Sequence, residues 1–146
     1  MSSAKNVAVY RSLAELPAGF GPSVAAIGNF DGVHCGHRAI LAAVAAEARE
    51  RSARAVAITF DPHPEQFLRP QRAPLLITPL AERVRLLVET GVDAVLVLPF
   101  DAALAGLTAR AFVHRILVDA LQLRGLHEGE TFRFGRGEVT LGGYVP

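Results

Sequence analysis

Apolar positions along this chain alternate between short unbroken runs, suited to buried strands, and longer stretches spaced for helices. Val24 to Ile27 is the first short run, and Ala39 to Arg51 follows as a helix with Ile40, Leu41 and Val44 at helical spacing. Arg54 to Phe60 reads as a second strand, stopped by the breaker Asp61-Pro-His-Pro64. Thr78 predicts an N-cap, with Pro79 at the first helical position and Glu82 in the opening turns. That helix runs to about Thr90, and Gly91 ends it. Val92 to Leu98 is apolar enough for a third strand buried on both faces. Thr108 then caps a third helix through about Leu121, with Phe112, Ile116 and Leu117 on one stripe. Leu123 to His127 is a fourth, weaker strand.

Strand–helix alternation with short connections predicts an α/β fold, a parallel sheet covered by helices on both faces. In such folds ligands collect at the carboxyl ends of the strands. The segments there are the turn from Gly28 to His37, the turn from Asp61 to Pro64, Pro99 to Asp101, and Glu128 to Gly135. All of them fall on one edge of the sheet.

The first of these turns carries the most chemistry. Ile27-Gly-Asn-Phe-Asp-Gly-Val-His-Cys-Gly-His37 places glycines and two histidines between a strand and a helix N-terminus. Free backbone N–H groups and the positive dipole end of a helix suit a phosphate there. His34 and His37 can point at the same place as those donors, which makes the turn a candidate nucleotide phosphate site. A strand–glycine–helix turn alone is common in α/β proteins; the length of the run is what makes this one specific. Asp31 either binds nucleotide or a metal-bound water, or holds the turn by side-chain-to-backbone bonds, and Asn29 is open in the same way.

Composition narrows the setting. With 146 residues, 51% of them hydrophobic, the chain can form one domain with a sizeable core. A formal charge of +1, without basic runs, argues against a nucleic-acid partner. The longest apolar stretch, Ala94 to Phe100, is too short to span a bilayer, and the N-terminus has no apolar signal region. The single cysteine, Cys35, excludes an internal disulfide and fits a cytoplasmic location. His114 and His127 have no cysteine or carboxylate at ligand spacing, so no structural metal site is expected.

Four ordered motifs resemble one family. The run from Gly28 to His37, Thr59-Phe-Asp-Pro-His-Pro64 with Phe67-Leu-Arg-Pro70, Leu76-Ile-Thr-Pro-Leu-Ala-Glu-Arg83, and Gly129-Glu-Thr-Phe-Arg-Phe-Gly135 are similar to the prokaryotic FAD synthetases. That is the FMN adenylyltransferase module of bifunctional riboflavin kinase/FAD synthetases, and the likeness covers the chain from about Val24 to Gly135. It implies a Rossmann-like nucleotidyltransferase fold and transfer of AMP from ATP to FMN, giving FAD and pyrophosphate. Mg²⁺ would enter with the ATP. The resemblance implies that His34 and His37 act on the phosphates in catalysis. It implies ATP binding by Gly28, Asn29, Phe30, Asp31, Gly32, Gly36 and Thr131. On the flavin side it implies Phe60, Asp61, Pro62, Pro64 and Phe134, with Phe60 offering an aromatic edge to the ring system. Arg72 either binds the FMN phosphate or is an exposed, solvated arginine.

The chain also departs from that pattern. Thr131 stands where the family usually has Asn or Asp, and a Ser/Thr-rich segment with an ATP-gripping Arg has no counterpart after Gly135. The expectation is also that no riboflavin kinase domain follows. The expectation is a single adenylyltransferase domain over residues 1–146, incomplete at its C-terminal end, self-associating through an uncovered sheet edge. Two other readings stay open at this level: a flavin- or adenine-nucleotide-binding fragment with impaired catalysis, and a nucleotidyltransferase with another phosphorylated acceptor.

Overall fold

The computed structural model describes residues 6–30, 35–62, 68, 71 and 79–128. The elements, in chain order, begin with strand β1 (Ala8–Tyr10), a 3-10 turn (Leu13–Glu15) and strand β2 (Ser23–Ile27). Helix α1 (Cys35–Glu50), strand β3 (Arg54–Asp61), helix α2 (Leu80–Val88) and strand β4 (Ala94–Pro99) follow. Helices α3 (Ala102–Ala105) and α4 (Ala109–Phe112, continued with wider turns over Val113–Ala120) lead into β5 (Leu123–Glu128). The strands form one five-stranded sheet in the order β1-β4-β3-β2-β5, and every pairing is parallel.

Because side chains alternate across a strand, each central strand feeds two cores. Ala25 and Ile27 of β2, Val56, Ile58 and Phe60 of β3, and Ala94, Leu96 and Leu98 of β4 face one side. There they pack against Phe20 and against Phe112, Ile116, Leu117 and Leu121 of the α4 segment. The alternate residues, Val24, Ala26, Ala55, Ala57, Val95 and Val97, meet Leu41, Val44, Ala45 and Ala48 of α1 and Val84 and Leu87 of α2. The fold is the expected α/β class, Rossmann-like, with helices on both faces. From β2 the chain runs through α1 to β3 and through α2 to β4, then returns by α4 to the other side of β2 as β5. The reversal therefore lies at the carboxyl ends of β2 and β5, where Ile27 pairs with Glu128.

Several boundaries differ from the sequence pattern for local physical reasons. Helix α1 begins at Cys35 rather than Ala39, because Gly36 and His37 belong to its first turn although a glycine reads as a breaker. Pro79 precedes the first helical residue of α2 and provides no side-chain cap. Thr78, expected as that cap, lies outside the described residues. Strand β4 starts two residues later than Val92, since Asp93 is turned sideways onto β3. Its carboxylate accepts from Ala55 N at 2.7 Å, and its own N–H donates to Ala55 O at 2.7 Å. Thr108 does cap α4, accepting from Ala111 N at 3.1 Å. The turns beyond it widen: Leu121 N donates to Ile116 O, five residues back, at 3.1 Å. The expected stripe of Phe112, Ile116 and Leu117 is buried. Among the described residues, no helix is long and apolar enough to cross a membrane.

Candidate functional site

Strand β2 ends in a tight exit. Gly28 N donates to Ile58 O at 3.1 Å, which holds the chain against β3 for one more residue. Gly28 has an ordinary backbone, and a Cβ built there would first meet the Phe30 ring, at 3.4 Å. The turn's strain sits at Phe30, a non-glycine residue with φ of 54°. Its side chain is 3% exposed and packs into the α1 core with Leu41 and Val44. Phe30, expected on the ATP side, has its ring in that core.

That ring gives His37 its place. Phe30 and His37 stack edge to face, with centroids 5.1 Å apart and planes at 82°. His37 is half-buried in the first turn of α1, and Gly36 beside it is exposed. A 16-residue helix directs its positive end toward this turn, so a cation-binding role is disfavoured and an anion-binding one favoured.

Strand β3 ends beside β2. Thr59 and Phe60 are buried, whereas Asp61 and Pro62 are exposed at the strand's carboxyl end. Phe60 was expected to offer its edge to a flavin. Its ring is 2% exposed and meets Phe100 edge to face at 5.9 Å, so it is part of the core below the turn. Of the flavin-side residues that are described, Asp61 and Pro62 are the ones a ligand could reach.

The two strand exits are tied by a residue the sequence reading did not single out. Arg83, on the inner face of α2, is 2% exposed. Its Nη1 donates to Asn29 O at 2.8 Å and to Thr59 Oγ1 at 3.4 Å, and its Nη2 donates to Phe60 O at 3.1 Å. The Thr59 hydroxyl in turn donates to Asn29 O at 3.0 Å. Asn29 therefore acts through its backbone in the turn, and its side-chain Oδ1 is buried with no hydrogen-bond partner among the described residues. A signal for Arg83 was present: in α2 it stands on the stripe of Val84 and Leu87, where a charge is out of place. The acceptors that end β2 and β3 are backbone carbonyls, which carry no signature of their own in the sequence.

Asp31, Gly32, His34, Pro64, Arg72, Thr131 and Phe134 lie outside the described residues. Among the described residues, no three His, Cys, Asp or Glu side chains gather to hold a metal ion.

Comparison with known proteins fits this arrangement. The family model for FAD synthetase matches residues 18–141. The chain belongs to that family. The bifunctional riboflavin kinase/FMN adenylyltransferase of Escherichia coli K12 is 44% identical over 114 residues, covering 78% of this chain and 36% of the relative. The protein of the same name from Pseudomonas fluorescens is 45% identical over 116 residues, 80% of this chain and 37% of the relative. The chain thus spans about a third of the length of these curated relatives. In three dimensions it resembles a crystal structure described as a macrolide-efflux protein from Streptococcus pneumoniae. That likeness has a TM-score of 0.77 at 28% identity, over 93% of this chain and 46% of the other.

Proposed function

We propose that this chain transfers AMP from ATP to FMN, giving FAD and pyrophosphate. In that reaction a phosphate oxygen of FMN bonds to the α-phosphorus of ATP while the bond from that phosphorus to the pyrophosphate oxygen breaks. The protein's task is to align two anions and to stabilise charge as the pyrophosphate leaves. The observation that carries this reading is the junction of β2 with α1 at the reversal of the sheet. There a helix N-terminus and a histidine braced by Phe30 share one turn.

In this reading His37 donates a hydrogen bond to the ATP phosphates and to the charge developing on the pyrophosphate, with His34 as its expected companion. Phosphate nearby favours the imidazolium form, which donates best. The N–H groups of the first turn of α1 add donors that require no reorganisation. Asp61 and Pro62, exposed at the end of the neighbouring strand, face the side where FMN would lie. Mg²⁺, when bound with ATP, supplies charge neutralisation on the phosphates; the described residues offer it no cage of their own. The setting is cytoplasmic, and the substrates are small molecules.

The test is direct. The purified chain, incubated with FMN, ATP and Mg²⁺, should form FAD, followed by chromatography. His37→Ala should lower turnover by about 10²–10³-fold, the scale for losing one donor to the transition state. A loss smaller than about fivefold would remove His37 from the mechanism. Saturable FMN or ATP binding without FAD would mark the chain as a binding unit instead.

A further inference from the structure

Adenylyl transfer needs two anions in line, yet the turns that would hold them leave different strands. One departs from β2 at Asn29 and leads to α1; the other departs from β3 at Phe60 and leads through Asp61 and Pro62. Past the last ladder bonds, such turns can shift relative to each other, and in-line geometry is sensitive to shifts of about 1 Å.

Arg83 spans them. One guanidinium nitrogen bonds Asn29 O at 2.8 Å and the other bonds Phe60 O at 3.1 Å, with the Thr59 hydroxyl bridging to the same Asn29 carbonyl at 3.0 Å. The rigid planar fork of arginine suits two acceptors at a set separation, which the point charge of lysine does not. Packing alone does not explain the residue. A buried cation carries a desolvation cost, and an apolar side chain of similar volume on the same stripe as Val84 and Leu87 would avoid it.

We infer that Arg83 is a positioning residue that fixes the separation between the nucleotide-side turn at Asn29 and the flavin-side turn at Phe60. It acts on alignment rather than on the affinity for either substrate. This rests on the proposed adenylyl transfer and adds a residue to it.

The experiment compares the full chain with Arg83→Lys by FAD formation over a grid of ATP and FMN concentrations. Calorimetric binding of each compound alone and a thermal melt accompany it. Arg83→Lys should bind FMN and ATP singly within about threefold of the parent while kcat falls by about 10–100-fold. A kcat within about twofold of the parent, or a fall that only tracks the folded fraction, overturns the inference and leaves the adenylyl-transfer reading standing. Should Arg83→Lys fail to fold, Thr59→Val removes one of the donors to Asn29 O in a nearly isosteric change. It should lower kcat by about 3–10-fold with single-substrate binding kept, and no change in kcat would again overturn the inference.

If the parent binds both compounds but forms no FAD, the reaction reading fails and the inference is decided by coupling. Saturating ATP should then tighten FMN binding in the parent and not in Arg83→Lys; equal coupling in both overturns it. A parent that binds neither compound overturns both.

Discussion

Helix α2 carries two arginines, two positions and therefore ~200° apart around the axis, in opposite surroundings. Arg83 faces inward, 2% exposed, and donates to the carbonyls that end β2 and β3. Arg85 faces solvent with its side chain 56% exposed, paired to Glu82 one turn back and to Glu89 at 2.8 Å one turn on. By charge alone the two look equivalent, and Arg85 has the more complete set of ion pairs. Their environments reverse that ranking. In water each carboxylate of the outer pairs is well solvated without its partner, so the bonds add little. The inner carbonyls are part-buried or buried, so losing the Arg83 donors leaves them less well solvated than the outer carboxylates and costs more. The comparison teaches that in this helix the buried arginine bonded to the strand ends, and not the exposed one, organises the fold around the candidate site.

The largest effect should come from removing the inner arginine altogether. Arg83→Met keeps an apolar stem of similar length and takes away the donors to Asn29 O and Phe60 O. Urea denaturation should show a loss of about 3 kcal/mol, the scale for leaving buried polar groups without partners. A loss below about 1 kcal/mol would mean that the acceptors find other donors, and the contrast between the two arginines would collapse.

How much of this was legible beforehand depends on what kind of group carries the feature. The central strands declared themselves because β2, β3 and β4 are buried on both faces and so have no polar alternation to confuse. Strand β1 did not: Ala8–Tyr10 is short and only half-buried along its length, and its pairing with β4 is decided by tertiary contact. The weaker pattern of Leu123 to His127 matched an edge strand that is nowhere fully buried. Within the site, His37 was legible as a candidate because an imidazole is a side chain suited to acting on phosphates. Phe30 and Phe60 were read as ligand contacts because they lie in the motifs, but an aromatic beside a strand end serves the core as readily, and both rings are buried, at 3% and 2% exposure. Arg83 closes one of the motifs, yet its tie between the strand exits was not read from it, since the acceptors that end those strands are main-chain oxygens, which every residue possesses.

A third region sharpens the contrast because it is intermediate. Glu47 of α1 lies 2.6 Å from His127 Nε2 on β5 and is also bonded to Arg51 at 3.0 Å, with side chains about a quarter to a half exposed. The His127 hydrogen bond, helped by Arg51 and partly opposed by burial, holds the Glu47 carboxyl below the usual carboxylate range. A depressed carboxylate stabilises the folded state above its unfolded pKa and stops doing so as pH falls through the folded one. Glu47→Gln should therefore be less stable than the parent near neutrality, by about 0.5–1 kcal/mol given the exposure of the pair. The gap should close as pH falls from about 5 to about 3. A gap independent of pH would assign the effect to packing rather than to charge. Gly125 bears on the same contact: a Cβ there would come within 2.6 Å of Glu47 Oε1, so this strand leaves the carboxylate its space.

The smallest effect should belong to the most conspicuous ion pairs. Arg85 pulls the Glu82 carboxyl down, chiefly through the hydrogen bond between them and also through its charge, and both side chains are largely open to solvent. If proximity of charge were what mattered, Arg85→Ala would rival Arg83→Met. If desolvation matters, alanine's better helix propensity and the freed rotamers of Glu82 and Glu89 should offset the lost pairs, leaving the urea midpoint close to that of the parent. Raising the ionic strength to about 1 M should shrink even that difference, because exposed charges are screened within ~3 Å there, whereas the Arg83→Met deficit should persist. A salt-sensitive drop in the urea midpoint for Arg85→Ala that rivals the Arg83→Met deficit would show the outer face of α2 to be a cooperative ion-pair network, and the helix would then be held from both sides.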